Sequence, residues 1–368
     1  MVQAVAPVTG RLLLLAAVLL LPGGARAEQP PLKVPPGFHA DVFASGVGSV
    51  RLMALDPAGT LLVSVPSRGR VLALPDAKGA GRADAVQTVV EGLDQPHGLA
   101  FKDGALYVAE GGRVQRFHYD PATRKATQGT VVVRDLPQGG GHWTRTVVFG
   151  PDGRIYVSVG SSCNVCRESD KRRAAVLRYQ ADGSGEQLFA TGLRNAVGLA
   201  FHPSTGVLWA TVNERDWRGD DLPPDYVTEV KEGAFYGWPD CITVGGKVIA
   251  DEKGARCEGV TRPTVELQAH SAPIGLAFYT GSQFPAEYRG SLFVAYRGSW
   301  NRSIPTGYKI VRIRFQDGKP AGVEDFATGW LEGSSAWGRP VDVLVGRDGA
   351  LYVSDQGAGR IYRIGHRG

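Results

Sequence analysis

Residues 146–160, TVVFGPDGRIYVSVG, contain the pattern that decides the fold. Apolar runs on both sides of a Pro-Asp-Gly turn predict a β-hairpin of two short strands. Related hairpin patterns begin at five other positions, namely Leu52, Gly98, Gly198, Gly275 and Asp342. Most copies are followed by a further strand candidate, such as GRIYRI at 359–364. Six repeats of three or four strands predict an all-β fold, a single six-bladed β-propeller.

The segments around the repeats refine this architecture. A sandwich of two sheets would not repeat one hairpin six times, and a TIM barrel would need helical patterns between its strands, of which the sequence has almost none. The segment GFHADVF at 37–43 precedes the first repeat, and we expect it to add a strand to the last blade and close the ring. Long spacings predict insertions at 215–264 and 300–338, where propellers often build their sites.

The composition agrees with one globular domain over residues 28–368. Hydrophobic residues make up 43% and charged residues 21%, which excludes a disordered polymer, and the 50 glycines argue against a coiled coil or a helical bundle. The net charge is only +5 and no cluster of Lys and Arg is interleaved with aromatic residues, so we predict no nucleic-acid partner. No apolar stretch after the N-terminal segment is long enough to span a membrane.

Residues 1–27 have the pattern of a secretory signal peptide. Arg11 precedes the apolar run 12–21, and Ala25-Arg26-Ala27 provides a small-residue cleavage site. A membrane anchor would need about 20 apolar residues, which is twice the length of this run. We therefore predict cleavage after Ala27 and a periplasmic or secreted protein.

Export changes the interpretation of the four cysteines. An even number in an oxidising compartment predicts two disulfides, and the simplest of three pairings joins Cys163 to Cys166 and Cys241 to Cys257. A redox-active CxxC motif is the alternative. Haem attachment would require a histidine where the sequence has Arg167, and a zinc site usually requires a second close cysteine pair.

Polar side chains recur just before the first strand of several repeats. Equivalent positions of propeller blades converge at one end of the central channel, so we expect these side chains to share one funnel. They are Gln95, His97, His142, Arg194, Asn195, His270 and Arg339.

The stretch 213–222, NERDWRGDDL, is acidic and rich in turn-forming residues. Carboxylate, amide and main-chain oxygens are the ligands that calcium prefers. The spacing differs from that of an EF-hand loop, so the pattern alone leaves open both a calcium site and a solvated acidic loop.

The order of these motifs resembles the soluble PQQ-dependent sugar dehydrogenases, the glucose/sorbosone dehydrogenase family. The resemblance extends over roughly residues 34–364 and rests on GGGHW at 139–143, GLRNAVGLAF at 192–201 and GAFYGWP at 233–239. The chain looks most like the sorbosone dehydrogenase type, given SSCNVC at 161–166 and YRGSWN at 296–301. The resemblance implies a six-bladed propeller that holds pyrroloquinoline quinone (PQQ) and Ca²⁺ in a funnel on one face.

The resemblance also implies roles for single residues. His142 matches the general base, which takes a proton from an anomeric or hydrated-aldehyde hydroxyl of the substrate as hydride passes to the quinone. Arg194 matches the residue that stabilises negative charge on the quinone oxygen. The other matches are cofactor-site contacts by Gln95, Asn195, Arg297 and Arg339, of which Gln95 also contacts substrate and base, and calcium ligation by the main-chain carbonyls of Asp216 and Trp217.

Three departures limit what the resemblance implies. The glucose-oxidising members have an Asp before the base where this chain has Gly141, a basic residue near the last blade is replaced by Val341, and Asp216-Trp217 replaces a Gly-Pro pair. We therefore expect an oxidoreductase for an aldose or sugar-like aldehyde, for example sorbosone, that passes electrons to an unidentified acceptor. A calcium-dependent hydrolase of the lactonase kind and a non-catalytic binding propeller are the alternatives.

Overall fold

The fold consists almost entirely of β-strands. The structure is a computed structural model and describes residues 1–4 and 32–367, so the predicted signal peptide lies outside it apart from its first four residues, and its cleavage stays a prediction. The first strands are β1 (Phe38–Ser45), β2 (Met53–Leu55), β3 (Leu61–Val65), β4 (Arg70–Leu74), β5 (Gln87–Val90), β6 (Leu99–Lys102), β7 (Ala105–Ala109), β8 (Val114–Asp120), β9 (Lys125–Val133), β10 (Arg145–Phe149), β11 (Ile155–Val159), β12 (Ala175–Tyr179), β13 (Gln187–Thr191) and β14 (Ala196–Phe201). The later strands are β15 (Leu208–Val212), β16 (Tyr226–Glu229), β17 (Cys241–Val244), β18 (Lys247–Ala250), β19 (Val265–Glu266), β20 (Pro273–Phe278), β21 (Leu292–Tyr296), β22 (Lys309–Gln316), β23 (Lys319–Ala327), β24 (Leu331–Glu332), β25 (Ser335–Ala336), β26 (Pro340–Val345), β27 (Leu351–Asp355) and β28 (Arg360–His366). Two 3-10 helices, Pro66–Arg68 and Ala286–Tyr288, complete the elements of the described residues.

Six four-stranded antiparallel sheets form the blades of a propeller. Blades one to three are β2–β5, β6–β9 and β10–β13; blade four is β14, β15, β16 and β19; blade five is β20–β23; blade six is β26, β27, β28 and β1. The first strands of neighbouring blades, β2, β6, β10, β14, β20 and β26, contact one another around the ring and surround the channel. The structure therefore confirms the six-bladed propeller predicted from the repeats.

The chain closes the ring with its two ends. Strand β1 pairs antiparallel with β28, from Phe38 opposite His366 to Ser45 opposite Arg360. This confirms that the segment 37–43 contributes a strand to the last blade.

The second strand of each blade lies at the centre of the packing between blades. All five residues of β3, β7, β11, β15, β21 and β27 are buried. Each of these strands has a neighbouring blade on both faces, so its sequence is mainly apolar rather than alternating, and its few polar residues are buried as well. These polar residues are Ser64, Ser158, Thr211, Ser354 and Asp355. Leu52, Val197, Ile274 and Val341 form a further apolar cluster in the channel, one residue from each of four blades. The basic residue of the resembled family is thus replaced here by a fully buried Val341.

The two predicted insertions lie only partly outside the blades. The segment 215–264 contains β16 and the separate hairpin β17–β18, whereas 300–338 contains β22, β23 and the hairpin β24–β25. The disulfides Cys163–Cys166 and Cys241–Cys257 are formed as predicted. Within residues 1–4 and 32–367, no helix has the length and apolar character that a membrane span requires.

Candidate functional site

The loops that lead into the blades surround a cavity of about 520 Å³ at one end of the channel. The apolar channel cluster contributes Val197 and Ile274 to its lining. Six of the eight site residues predicted from the sequence line this cavity, namely His142, Arg194, Asn195, Asp216, Trp217 and Arg297. Repeat equivalence predicted three of these six residues, His142, Arg194 and Asn195, whereas Asp216, Trp217 and Arg297 were implied by the family resemblance alone.

The imidazole of His142 is held as a neutral base. Its Nδ1 lies 2.8 Å from the main-chain oxygen of Ser161, and because a carbonyl can only accept, Nδ1 carries the proton and Nε2 carries the lone pair. Burial, followed by the Arg194 guanidinium, lowers the pKa of His142 to about 4. A side chain at Gly160 would place its Cβ 2.6 Å from the Cβ of His142 and 2.4 Å from Oδ1 of Asn195, so the close approach requires glycine. The ring can therefore accept a proton at neutral pH.

The guanidinium of Arg194 has all of its donors satisfied by the protein. Its Nε donates to the main-chain oxygen of Asn164 at 3.0 Å, and Nη2 donates to Oδ1 of Asn164 and to Oδ2 of Asp216, both at 2.9 Å. The remaining nitrogen, Nη1, donates to the carbonyls of Asn213 at 3.2 Å and Glu214 at 2.6 Å. Arg194 is only 3% exposed, so its position is fixed before any ligand binds.

Asn164 connects this arginine to the predicted calcium segment. Its Oδ1 also accepts from the backbone N–H of Asp216 at 2.8 Å, and its Nδ2 donates to the Asp216 carbonyl at 3.0 Å. Asn164 lies inside the loop closed by the Cys163–Cys166 disulfide, and its main-chain oxygen accepts from Nε1 of Trp238 at 3.0 Å. The disulfide loop is therefore part of the site.

A second group of arginines has few protein partners. Arg51 and Arg297 both donate to Oε1 of Gln356, at 3.3 and 2.9 Å. Arg339 places its guanidinium 4.9 Å from the centre of the Tyr308 ring. Among the described residues, none of the three arginines has a carboxylate within salt-bridge distance, and Nε of Arg51 and Nη1 of Arg339 are buried without a hydrogen-bond partner.

Burial, together with repulsion between neighbouring guanidinium groups, lowers the pKa values of Arg51 and Arg297. Burial and the nearby Arg297 lower the pKa of Arg51 to about 9. Burial and the nearby Arg339 lower the pKa of Arg297. Like charges gathered without a counter-charge are costly. This side of the cavity is therefore suited to a ligand with several negative charges.

The segment assigned to calcium offers oxygen atoms only. The Asp216 carbonyl has a second lone pair beyond its bond to Asn164, and Trp217 follows with a φ of 67°. Asp220 and Asp221 of the same acidic stretch contact another loop. The carboxylate of Asp221 lies 3.1 Å from Nη2 of Arg302, and Asp220 accepts a hydrogen bond from the backbone N–H of Ser303 at 3.1 Å. In the described chain, the single cluster of three potential His, Cys, Asp or Glu ligands contains both sulfurs of a disulfide. A hard cation at Asp216 and Trp217 would thus depend on main-chain oxygens.

Of the four other residues predicted to share the funnel, one lines the cavity and three do not. His270 lines the cavity, and its Nε2 lies 2.9 Å from the carbonyl of Gly219. His97 is fully buried and accepts from Nη2 of Arg51 at 3.2 Å, so it supports that arginine from behind. Arg339 is not in the lining, although it is near enough to Arg297 to lower the pKa of that residue. Gln95 is exposed and lies outside the lining, so its predicted contact with substrate and base stays a prediction.

Sequence reasoning missed several cavity residues. They are Arg51, Asn164, Asp225, Asn301 and Gln356. Arg51 directly precedes the first hairpin, a position equivalent to the loops that were selected, so the repeat could have identified it. Asn164 and Asn301 stand inside quoted motifs without an assigned role. Asp225, whose pKa burial raises to about 7, and Gln356 have no sequence signal of this kind.

A six-bladed propeller whose cavity combines a neutral imidazole with guanidinium groups is the framework of the soluble PQQ-dependent sugar dehydrogenases, and comparison with known proteins leads to the same class. A family model described as TrAA12-like matches residues 32–367. The chain belongs to this family.

Individual relatives agree with this assignment. The PQQ-dependent pyranose dehydrogenase of Coprinopsis cinerea is 27% identical over 415 residues, which cover 93% of this chain and 55% of that protein, so the chain spans about half of its length. An uncharacterized protein of Borreliella burgdorferi is 29% identical over 355 residues and 90% of both chains. The calcium structure of the Trichoderma reesei family AA12 enzyme has the same fold, with a TM-score of 0.81 and 21% identity over 94% of this chain and 100% of that one.

Proposed function

We propose that this protein is a PQQ-dependent dehydrogenase that oxidises an aldose or a sugar-like aldehyde, for example sorbosone. The observation that carries the proposal is the joint presence, in one cavity, of a neutral imidazole and arginines without carboxylate partners. The Coprinopsis cinerea relative is a PQQ-dependent pyranose dehydrogenase, and the AA12 enzyme was crystallised with calcium, which supports the same pair of cofactors here.

The unpaired arginines fit the cofactor. PQQ carries three carboxylates, and Arg51, Arg297 and Arg339 offer guanidinium groups that pair with carboxylates through two parallel hydrogen bonds. Asn195 adds an amide whose Oδ1 is buried without a partner. Asp216 and Trp217 would hold Ca²⁺ through their carbonyls. When bound, PQQ supplies the acceptor for hydride and Ca²⁺ makes it more electrophilic.

The chain's own residues supply the acid–base chemistry and the charge. Nε2 of His142 accepts the proton of the substrate hydroxyl, which becomes a carbonyl as hydride leaves its carbon. Nδ1 keeps its proton in the hydrogen bond to the Ser161 carbonyl, so proton uptake at Nε2 gives an imidazolium. Arg194 holds a fixed positive charge in the same cavity, which would stabilise the negative charge that the hydride acceptor gains. An aldose thereby becomes a lactone, and a hydrated aldehyde becomes an acid.

The two electrons then pass to an acceptor that this proposal does not identify. The proposed signal peptide and the disulfides favour a periplasmic or secreted location.

The test is reconstitution of the chain from Glu28 onwards. We expect PQQ and Ca²⁺ together, and neither alone, to give dye reduction with aldoses or sorbosone, and a chelator to abolish it. Lactones should give no hydrolysis. Absence of PQQ binding, or cofactor-free lactone hydrolysis, would contradict the proposal.

A further inference from the structure

Two tryptophans stand exposed at the rim of the cavity. Trp217 is 67% exposed and Trp300 is 62% exposed, and both line the cavity mouth. The other five of the seven tryptophans are buried or half-buried. The two exposed tryptophans of this chain therefore both lie at the cavity.

The two rings form a fixed corner. Their centres lie 5.0 Å apart with the planes at 87°. Asn301, next to Trp300, donates from Nδ2 to Oδ1 of Asp216, next to Trp217, at 3.0 Å. The pair between Arg302 and Asp221 ties the same two loops together a second time. The exposure therefore does not come from loosely held loops.

The backbone at Trp217 is strained in a way that packing does not explain. Its φ of 67° lies in the left-handed region, which is uncommon for a bulky residue. Such conformations persist at sites where the chain uses them. The side chain gains no burial in return, because two thirds of it remains exposed.

We propose that Trp217 and Trp300 form an outer saccharide subsite, which binds the sugar unit next to the one that is oxidised. The apolar C–H face of a pyranose ring stacks on an aromatic face, and its hydroxyls need polar partners. Asn301, next to Trp300, has an Oδ1 that is buried without a hydrogen-bond partner, so one unsatisfied acceptor adjoins the two rings. This inference rests on the proposed function for the identity of the inner unit.

The position of the subsite indicates how many sugar units the substrate contains. The sugar unit that reacts must place its hydroxyl at Nε2 of His142, a half-buried side chain of the cavity lining. Trp217 and Trp300, in contrast, are largely exposed, so a ring stacked on them lies farther out than the reacting unit. Di- and oligosaccharides with a free reducing end therefore reach both places, whereas a monosaccharide reaches only one.

The kinetic experiment compares Trp300→Ala with Ile304→Ala. Ile304 is 74% exposed on the same loop but is not part of the cavity lining, so it controls for the loss of apolar surface. With Trp300→Ala, the KM for cellobiose should rise roughly five- to tenfold while the KM for glucose and kcat for both stay within about twofold. Trp300→Phe should recover most of the loss, and Ile304→Ala should behave as wild type. Equal effects on both sugars would overturn the proposal.

A binding experiment keeps this inference separable from the proposed function. Cellotriose should quench the tryptophan fluorescence of the cofactor-free protein, and the quenching should be weaker with Trp300→Ala. Saturable quenching without PQQ-dependent turnover would sink the proposed function and leave the subsite. No quenching up to the solubility limit of the sugar would sink the subsite. If Trp300→Ala instead slows reduction of cytochrome c and leaves both sugars unaffected, the corner serves a protein acceptor and the saccharide assignment is wrong.

Discussion

The cavity contains two kinds of arginine, and they differ in how far the protein has satisfied them. Arg194 donates hydrogen bonds from all three nitrogens and pairs with Asp216. Arg51 and Arg297 share the Oε1 of Gln356, and Arg339, outside the lining, lies over the Tyr308 ring. None of these three arginines has a carboxylate partner among the described residues. The hydrogen bonds of Arg194 fix its position. The other three arginines have no carboxylate partner within the described part of the chain, so their charges are available to a ligand. The first set thus provides a preorganised charge, and the second provides binding.

His142 belongs to neither set, and its removal should have the largest effect. His142→Ala should lower kcat by about 10²–10⁴-fold because the proton acceptor is lost, while PQQ affinity changes little. Steady-state kinetics and a PQQ titration of the same variant measure the two effects. His118→Ala, on the exposed part of β8, is the control. A large loss of PQQ affinity would move His142 into the binding set.

Removing one unpaired arginine should weaken binding. Arg297→Met should lower PQQ affinity by about 30- to 1,000-fold, since loss of one partner of a desolvated charge pair costs about 2–4 kcal/mol. Arg218→Met, an arginine that has carboxylate partners outside the cavity, should bind PQQ as wild type does. The measurement is a PQQ titration followed by fluorescence quenching. Equal affinities of both variants would remove the distinction between the two sets.

Disturbing the satisfied arginine should instead affect its position. Asn164→Ala deletes the bonds that Oδ1 receives from Arg194 and Asp216, so we expect a loss of about 1–3 kcal/mol in the free energy of unfolding and a lower kcat, with a smaller change in PQQ affinity. Asn213→Ala is the matched variant: it also removes an amide hydrogen bond, from Nδ2 to the Pro273 carbonyl, but it leaves the main-chain oxygen that Arg194 uses. Chemical denaturation and kinetics test both. A kcat equal to wild type would show that Asn164 has only a structural role.

The smallest effect concerns pH. His142 acts in its deprotonated form, and with a pKa of about 4 the rate of substrate oxidation should rise with pH through about 4 and change little across pH 6.5. Arg194→Met should move this acid limb toward higher pH without reaching 6.5, because burial, the larger cause, remains. The pH dependence of kcat/KM measures the limb. A limb near pH 6.5 in the wild-type enzyme would mean that the imidazole is not held in this environment.

The sequence predicts the blades better than the site. The hairpin repeat specifies each blade locally, and the same repeat brings His142, Arg194 and Asn195 to one cavity. Side chains that act through their partners are harder to find, since nothing near Asn164 in sequence reveals Arg194 or Asp216 as its contacts. The acidic composition of 213–222 left a calcium site open, yet Asp220 and Asp221 of this stretch contact Ser303 and Arg302, which lie about 80 residues farther along the chain.

The pairing of β1 with β28 also governs the order in which the molecule can be completed. Blades one to five each form from one continuous stretch of chain, so each can fold as soon as its stretch has been synthesised or exported. Blade six needs strands from opposite ends of the described chain, a contact of very long sequence separation that forms slowly. Until then the unpaired edge of β1 is available to any other strand. A chain that lacks its final strand would keep that edge open, so such truncated chains should aggregate or be degraded rather than accumulate as an open ring.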